Sequence, residues 1–475
     1  MQNCYYRFCI NKYQLIIKTY NYNCLISTQM KAIRFFRLTI FPILLVNFIG
    51  ILGYSIVIPI LIFIVTDLGG NGFIYGVLGA MYPFFQLIGA PILGKLSDRI
   101  GRKKVLVISQ AGTFLAWMLF LLAFILPKTV LWSSDSGFTG NYMMTLPLVL
   151  LFVARIFDGF TGGNVSVANA YLSDISDDHN RDKNFGMMGA STSLGFVLGP
   201  AVAGILASTF LGESLPILLA AIISLVAIFI IIIKLPESNP CVVDTGSIGF
   251  KSFRRFFQVE HKECYTGDSS IAKENTNTFW NILKQDQIAL LYMIYFLTFL
   301  AFSLFYAGLP IYASTILEWS STELGVFLAY SSVIMILIQG PLLSFLSGKI
   351  SNLLFIVIGS LLLAISFYLL SFSNIVILYL ANTLLSIGNG MMWPNFLSLL
   401  SKTGNQQMQG AIQGYGNSMG SFASIFGLVI SGILFESLQT IVFIIGSVIF
   451  LLIFLFVFIS YIKEKRVSRT PEIIN

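Results

Sequence analysis

The sequence predicts an all-α integral membrane protein with twelve transmembrane helices in two pseudo-symmetric six-helix bundles. Three observations carry that prediction. The chain is 56% hydrophobic and 10% charged over 475 residues, with a mean hydropathy of +0.84, whereas soluble domains carry about 25% charged residues. Twelve apolar segments follow one another, at 39–64, 74–94, 105–126, 146–170, 186–208, 214–235, 287–312, 324–347, 352–372, 375–400, 410–434 and 438–462. A helix needs about 20 such residues to cross a bilayer. Finally, 26 of the 28 Lys and Arg residues fall in tails or links that lie on one side if both termini are cytoplasmic, leaving Lys128 outside and Arg155 within a span. Cations stay cytoplasmic, so the net charge of +7 reads as topology and not as a nucleic-acid patch.

The segments divide the chain. Residues 1–38 are expected to form a polar, tyrosine-rich cytoplasmic tail with no signal-peptide pattern, and the part before Met30 reads either as a dispensable tail or as lying ahead of the true start. Residues 39–235 form the first bundle, 236–285 a polar cytoplasmic linker, 286–462 the second bundle and 463–475 a cytoplasmic tail. An amphipathic helix is expected near Phe250–Phe257, lying along the membrane. Cys4, Cys9, Cys24, Cys241 and Cys264 all fall on the predicted cytoplasmic side, which argues against disulfides. His179 and His261 are not spaced with them as metal ligands, so neither a metal nor a cofactor is expected.

The halves are related. Pro91–Ile100 matches Pro341–Ile350 at an offset of 250, with Pro, Leu, Leu, Ser and Ile identical. Gly186, Gly199 and Gly204–Leu206 match Gly414, Gly427 and Gly432–Leu434 at an offset of 228. The difference of 22 is close to the length of an extra outer loop at Lys128–Thr145, which the second half lacks. Parallel repeats are the architecture that lets a transporter rock about a midplane site.

Between the second and third segments lies Gly94-Lys-Leu-Ser-Asp-Arg-Ile-Gly-Arg-Lys-Lys104, with five cations in eleven residues. It is read as a tight loop in which Gly94 and Gly101 take backbone angles closed to other residues. This stretch resembles the major facilitator superfamily, whose loop between helices 2 and 3 carries G-x-L-(S/A)-D-R-x-G-R-(K/R)-(K/R). The resemblance implies a conformational lock of Gly94, Asp98, Arg99, Gly101, Arg102 and Asp174, in which Asp98, Arg102 and Asp174 form a charge relay. Orientation alone would explain the cations but not Asp98 or the glycines. The equivalents of Asp98 and Arg102 in the second half are Gly348 and Asn352, so the lock is one-sided.

Further motifs narrow the likeness. Ala154-Arg-Ile-Phe-Asp-Gly-Phe-Thr-Gly-Gly163, Ala170-Tyr-Leu-Ser-Asp-Ile-Ser176 and Gly195-Phe-Val-Leu-Gly-Pro-Ala-Val-Ala-Gly204 follow in this order. The run is similar to the tetracycline-resistance type of drug:proton antiporter, sharply over 74–206 and diffusely elsewhere. It implies a gating helix built on Gly195, Gly199, Pro200 and Gly204. Small residues at that spacing also serve plain helix contact, and Pro200 adds a weak point beside them. Two departures weigh against tetracycline as the solute. Val46–Leu52 holds no acid ahead of Gly53–Pro59, and spans seven to ten hold no Asp, Glu or His in their hydrophobic regions.

Arg155 and Asp158 are the charged residues placed inside a span. Each costs about 2.5–3.5 kcal/mol at bilayer depth, so such groups normally face protein or a water-filled cavity. Three residues apart, they share a helix face and can pair, either as a buried structural pair or as the proton-coupling element. The family's helix-4 arginine supports coupling for Arg155; the part of Asp158 is inferred from the spacing. Candidate substrate-binding residues are neutral: Asn47, Tyr54, Gln86, Asn164, Tyr306, Tyr330, Asn389, Trp393 and Asn417, with Asn395 beside them. Singly, each fits helix–helix hydrogen bonding; together they suit a small apolar or amphipathic solute. The expected function is alternating-access transport, with proton-coupled efflux ahead of uncoupled facilitation or a non-transporting receptor. No enzyme constellation is present, and a monomer in the plasma (inner) membrane is expected, with no nucleic-acid partner.

Overall fold

The computed structural model describes residues 40–136, 139–176, 180–238, 283–284, 287–346, 349–403 and 409–467. The N-terminal tail, most of the linker with Phe250–Phe257, and Gly348 lie outside the described residues. Among those described, eleven helices are long and apolar enough to cross a bilayer, and one bent pair makes a twelfth span. The bent pair is α1, Phe41–Val57 and Leu61–Asp67, with a 43° bend. Next come α2 (Gly72–Ile100), α3 (Arg102–Ala123), α4 (Leu146–Asp174), α5 (Asn184–Ala207) and α6 (Ser214–Lys234). The second half contains α7 (Ile288–Thr315), α8 (Ser321–Leu342), α9 (Asn352–Leu369), α10 (Ile375–Leu400), α11 (Gly414–Leu438) and α12 (Ile441–Lys465).

The sequence expectations require three corrections. The first span is not one continuous helix, because Pro59 has no N–H to bond the carbonyl four residues back. The chain tightens instead, with Ile60 N donating to Val57 O at 3.2 Å. The loop expected at Gly94–Lys104 is almost entirely helical: α2 runs to Ile100 and α3 begins at Arg102. Only Gly101 turns the chain, at φ +105°, a conformation that strains any residue with a Cβ. Gly94 is an ordinary helix position whose carbonyl accepts from the Ser97 hydroxyl at 2.7 Å. The outer loop is a hairpin, β1 (Val130–Ser136) antiparallel to β2 (Gly140–Thr145), with Trp132 opposite Met144. Val130, Trp132, Tyr142 and Thr145 are residues that favour strands. Met143 N donates to Gly69 O at 2.7 Å, and the Thr145 hydroxyl donates to Leu68 O at 2.8 Å, so the hairpin is pinned to the α1–α2 link.

The repeat matches become equivalent contacts. A Cβ on Gly199 of α5 would collide with Ser55 of α1, and one on Gly427 of α11 would come within 2.6 Å of Ser303 Cβ on α7. Gly204 of α5 lies against Gly325 of α8, while a Cβ on Gly432 of α11 would meet Gly72 O of α2 at 2.5 Å. The first two contacts hold each half together. The last two join the halves, and both lie at the helix ends that share a face with the hairpin. Three hydrogen bonds join the halves at the same level: Gly72 N to Glu436 Oε1 at 2.9 Å, the Ser321 hydroxyl to Glu213 Oε1 at 2.7 Å, and the Tyr75 hydroxyl to Tyr306 O at 3.0 Å. The molecule is therefore closed between its halves on the hairpin face, opposite the basic turn at Gly101.

Candidate functional site

Three of the residues expected to form the lock meet on the basic-turn face. Asp98 in the last turn of α2 and Arg102 in the first turn of α3 are four residues apart, and Gly101 lets the chain reverse between them. Arg102 Nη1 lies 2.6 Å from Asp98 Oδ1 and Nε lies 3.0 Å from Asp174 Oδ2 at the end of α4. Arg102 Nη1 also donates to the Ser97 hydroxyl at 2.6 Å. The Arg102 side chain is 11% exposed against 61% for Asp98, so the guanidinium is the buried centre of the cluster. Sequence reasoning missed a fourth member. The Glu237 carboxylate accepts from the backbone N–H groups of Arg102 and Lys103, at 2.8 and 3.1 Å. It caps α3, whose first N–H groups have no partner within the helix. The Ser238 hydroxyl donates to Asp174 Oδ2 at 2.9 Å. The start of the linker thus ties this ion-pair cluster to the end of α6. Arg99 sits in the last turn of α2, where a cation complements the helix dipole.

The central site is built on α4. Its glycines let it lie backbone to backbone on α2: a Cβ on Gly159 would meet Tyr82 O at 2.5 Å, and one on Gly163 would meet Ala90 N at 2.6 Å. This close packing buries Arg155 and Asp158, each 2% exposed, with Arg155 Nη1 3.5 Å from Asp158 Oδ2. At that distance the pair is loose. The guanidinium also lies over the Phe120 ring, 5.2 Å from its centroid, and Arg155 Nε has no partner among the described residues. The Thr113 hydroxyl lies 3.3 Å from the Thr161 hydroxyl, three residues along α4 from Asp158. Beside them lies a cavity of about 30 Å³, lined by Asn47, Tyr54, Tyr82, Gln110, Asp158 and Asn164 among others. It has room for about two water molecules.

The structure thus brings Tyr54, Asn47 and Asn164 to the charged pair. Tyr54 packs against Tyr82 with tilted rings and centroids 4.4 Å apart, and Gln86 donates to Gly162 O at 3.0 Å. Asn47 is anchored across the bundle, donating to the Ser191 and Thr192 hydroxyls of α5 at 2.7 and 2.8 Å. Gln110 and Trp117 of α3 were missed by sequence reasoning. The Gln110 amide is 1% exposed and, like Trp117 Nε1, has no partner among the described residues. A lone Gln in an apolar helix was the available signal.

The remaining candidates gather differently. Trp393 of α10 packs against Tyr295 and Phe299 of α7, with ring centroids 5.5 and 5.4 Å apart, and Asn417 of α11 accepts from the Tyr295 hydroxyl at 2.8 Å. Tyr306 joins them on α7, touching Phe302 and Phe305 and, through its carbonyl, Tyr75 of the other half. Tyr330 lies apart, its hydroxyl 2.9 Å from that of Thr383. Asn389 is half-buried on α10. Asn395 donates to Met391 O of its own helix at 2.8 Å and lines a different space. That space is a crevice of about 800 Å³ at the basic-turn end of the second half, with Asn352, Ser398, Lys402 and Glu464.

Comparison with known proteins agrees with this architecture. The family model described as Major Facilitator Superfamily matches residues 43–427 and again 291–473. The chain is 27% identical over 406 residues to the class C tetracycline resistance protein of Escherichia coli, covering 84% of this chain and 91% of that one. It is 26% identical over 412 residues to multidrug resistance protein 2 of Bacillus subtilis (strain 168), covering 84% and 89%. The crystal structure of the human organic anion transporter MFSD10 (TETRAN) superposes with a TM-score of 0.61 at 19% identity, over 89% of this chain and 99% of that one. The buried charged helix, the repeat-related glycine contacts and the matched span together place this chain in the major facilitator superfamily, a family of membrane transporters and not of enzymes.

Proposed function

We propose that this protein exports a small apolar or amphipathic solute by alternating access, and that the Arg155–Asp158 pair ties the movement to protons. The observation that carries the reading is the loose, buried pair at 3.5 Å beside a small cavity lined by both polar and apolar side chains. A carboxylate there can exchange a proton, and its neutralisation frees a guanidinium that also touches Phe120. Arg155 can then turn toward the cavity, so a proton changes the shape and charge of the site. Relatives named tetracycline and multidrug resistance proteins support export. The aromatic group Tyr295, Phe299 and Trp393, with the Asn417 amide beside it, supports an apolar or amphipathic solute. With the basic turn cytoplasmic, both chain ends are cytoplasmic and the closed hairpin face is the outer one. This is an inward-facing state, ready to load from the cytoplasm of a cell bounded by that plasma membrane. The Arg102 cluster makes the ends of α2, α3, α4 and α6 one rigid unit, so that the first half moves as a body, and the Gly195–Gly204 face of α5 guides it.

A second reading, an uncoupled facilitator, is favoured by the neutral α1 and the neutral spans of the second half. Uptake and efflux in proteoliposomes separate the two, using ethidium, tetracycline and a neutral amphipathic dye, each with and without an imposed pH gradient. Gradient-driven concentration of a dye supports the coupled exporter. Equilibration that ignores the gradient supports the facilitator, and no movement of any probe supports a non-transporting receptor.

A further inference from the structure

We infer that Glu436 and Glu213 are positioning residues of the transport cycle, a pair of carboxylate latches, one from each half, that hold the halves together on the hairpin face. Glu436 lies near the end of α11, the last contact helix of the second half. Its Oε1 accepts from Gly72 N, the first backbone donor of α2 in the first half, at 2.9 Å. Glu213 follows α5, the repeat partner of α11, and its Oε1 accepts from the hydroxyl of Ser321, the first residue of α8, at 2.7 Å. Since α8 is the repeat partner of α2, each half sends one carboxylate to the start of the other half's contact helix. At Gly72 the carboxylate takes a first-turn N–H of α2 that has no partner within the helix; at α8, whose start is already capped by Ser320 and Glu323, it takes a hydroxyl instead.

The surroundings hold the latches in register. Asn71 caps α2, accepting from Ile74 N at 3.1 Å, and its amide donates to Thr139 O at the hairpin turn at 2.7 Å. At that turn Gly140 takes φ +71°, and a Cβ there would come within 3.0 Å of Glu436 Oε2. The hairpin thus closes over the Glu436 latch and needs a glycine to do so. Each latch sits beside a cross-half glycine contact: Gly72 with Gly432 for Glu436, and Gly325 with Gly204 for Glu213. The glycines let the helices touch, but their contact is non-directional and can slide. The carboxylates supply bonds that form in one register and must break before the hairpin face opens. Neither residue lies at the Arg155–Asp158 site, so the latches act whether or not transport is proton-coupled.

The test is a distance measurement by double electron–electron resonance, with no substrate present. Spin labels are placed at S208C and T315C, in the first and second halves, on a background lacking the five native cysteines. Both hydroxyls bond carbonyls of their own helices and sit on the hairpin face. Wild-type protein should give mainly one short distance. E436A and E213A should each raise the fraction in a longer-distance population by about tenfold, and together by more, since each loses a charge-assisted bond. E436Q and E213Q keep an acceptor oxygen but not the charge and should fall between. Should the alanine double variant not purify as a folded protein, the glutamine pair decides in the same way. An unchanged distance distribution in the folded double variant overturns the inference.

Discussion

At the offset of 228 residues, Arg155 and Asp158 of the first half correspond to Thr383 and Ser386 of the second. The same helix at the same depth carries an ion pair in one half and two hydroxyls in the other. In α10 the hydroxyls join a neutral network. Asn382 donates to Phe327 O of α8 at 2.7 Å and accepts from the Ser331 hydroxyl, while the hydroxyls of Ser386 and Ser331 lie 3.0 Å apart. That network stitches α8 to α10 and leaves the donors and acceptors matched. In α4 the matching is incomplete: the pair is long, Arg155 Nε is unpartnered, and so is the neighbouring Gln110 amide. The same contrast recurs at the basic-turn face. Arg102 draws Asp98 and Asp174 into a closed cluster, whereas its counterpart Asn352 makes one 3.1 Å bond to Ser398 at the edge of an open crevice. Two repeats with one backbone plan have thus divided the work. The first half holds charge in an unsettled state, and the second offers a settled frame and an aromatic wall.

Breaking the unsettled half should have the largest effect. Arg155→Leu leaves Asp158 buried without its cation, which should cost about 3–5 kcal/mol of stability and abolish transport. A thermal unfolding series in detergent and dye transport in proteoliposomes check both parts. The paired control is Asn382→Leu, which breaks the neutral network and should cost about 1–3 kcal/mol while retaining transport. Equal losses from the two substitutions would erase the distinction between the halves.

The lock comes next. Asp98→Asn and Arg102→Ala should slow transport at least about tenfold with insertion intact, since each removes a charge-assisted bond from the buried guanidinium cluster. Asn352→Ala, the counterpart in the second half, should change the rate by less than about twofold. Transport rates normalised to inserted protein decide the matter. An unaffected Asp98→Asn protein would show that the motif sets topology and nothing more.

A smaller effect is expected at the aromatic wall. Trp393→Ala should raise KM for an amphipathic dye about tenfold with a modest change in maximal rate, because it removes apolar contact area and leaves the charged pair intact. Trp393→Phe should restore most of the affinity. The reverse pattern, a lost maximal rate at constant KM, would place Trp393 in the moving frame and not at the solute.

Much of this division can be read in the sequence, for physical reasons. Charges inside apolar runs are conspicuous, so Arg155 and Asp158 stand out, and their spacing fixes a shared helix face. Repeated glycines survive as matched offsets because two backbones cannot approach past a Cβ. What could not be read depends on long-range partners. Glu237 looks like any polar residue at a linker start until the fold carries it to the first turn of α3. Gln110 is visible as a lone amide in an apolar helix, but only the fold shows that burial leaves it unmatched. The α2–α3 link was misjudged because a basic, glycine-flanked stretch looks like a loop. Yet Lys, Leu and Arg are good helix formers, and the Asp98–Arg102 pair holds the helix ends together across one turning residue, Gly101. The hairpin escaped notice because strands of seven and six residues in a polar outer loop are weak signals beside twelve long apolar segments.

The central claim is that Asp158 carries the proton, and the most direct measurement compares two modes of transport in one variant. Asp158→Asn fills the same space and can still bond Arg155, but an amide cannot take up and release a proton. In proteoliposomes, the variant should exchange labelled dye across the membrane at a near wild-type rate while losing accumulation driven by a pH gradient. If the variant still accumulates dye against its concentration gradient in response to a pH gradient, the claim is contradicted and coupling lies elsewhere, with the Asp98–Arg102–Asp174 cluster the next group to test.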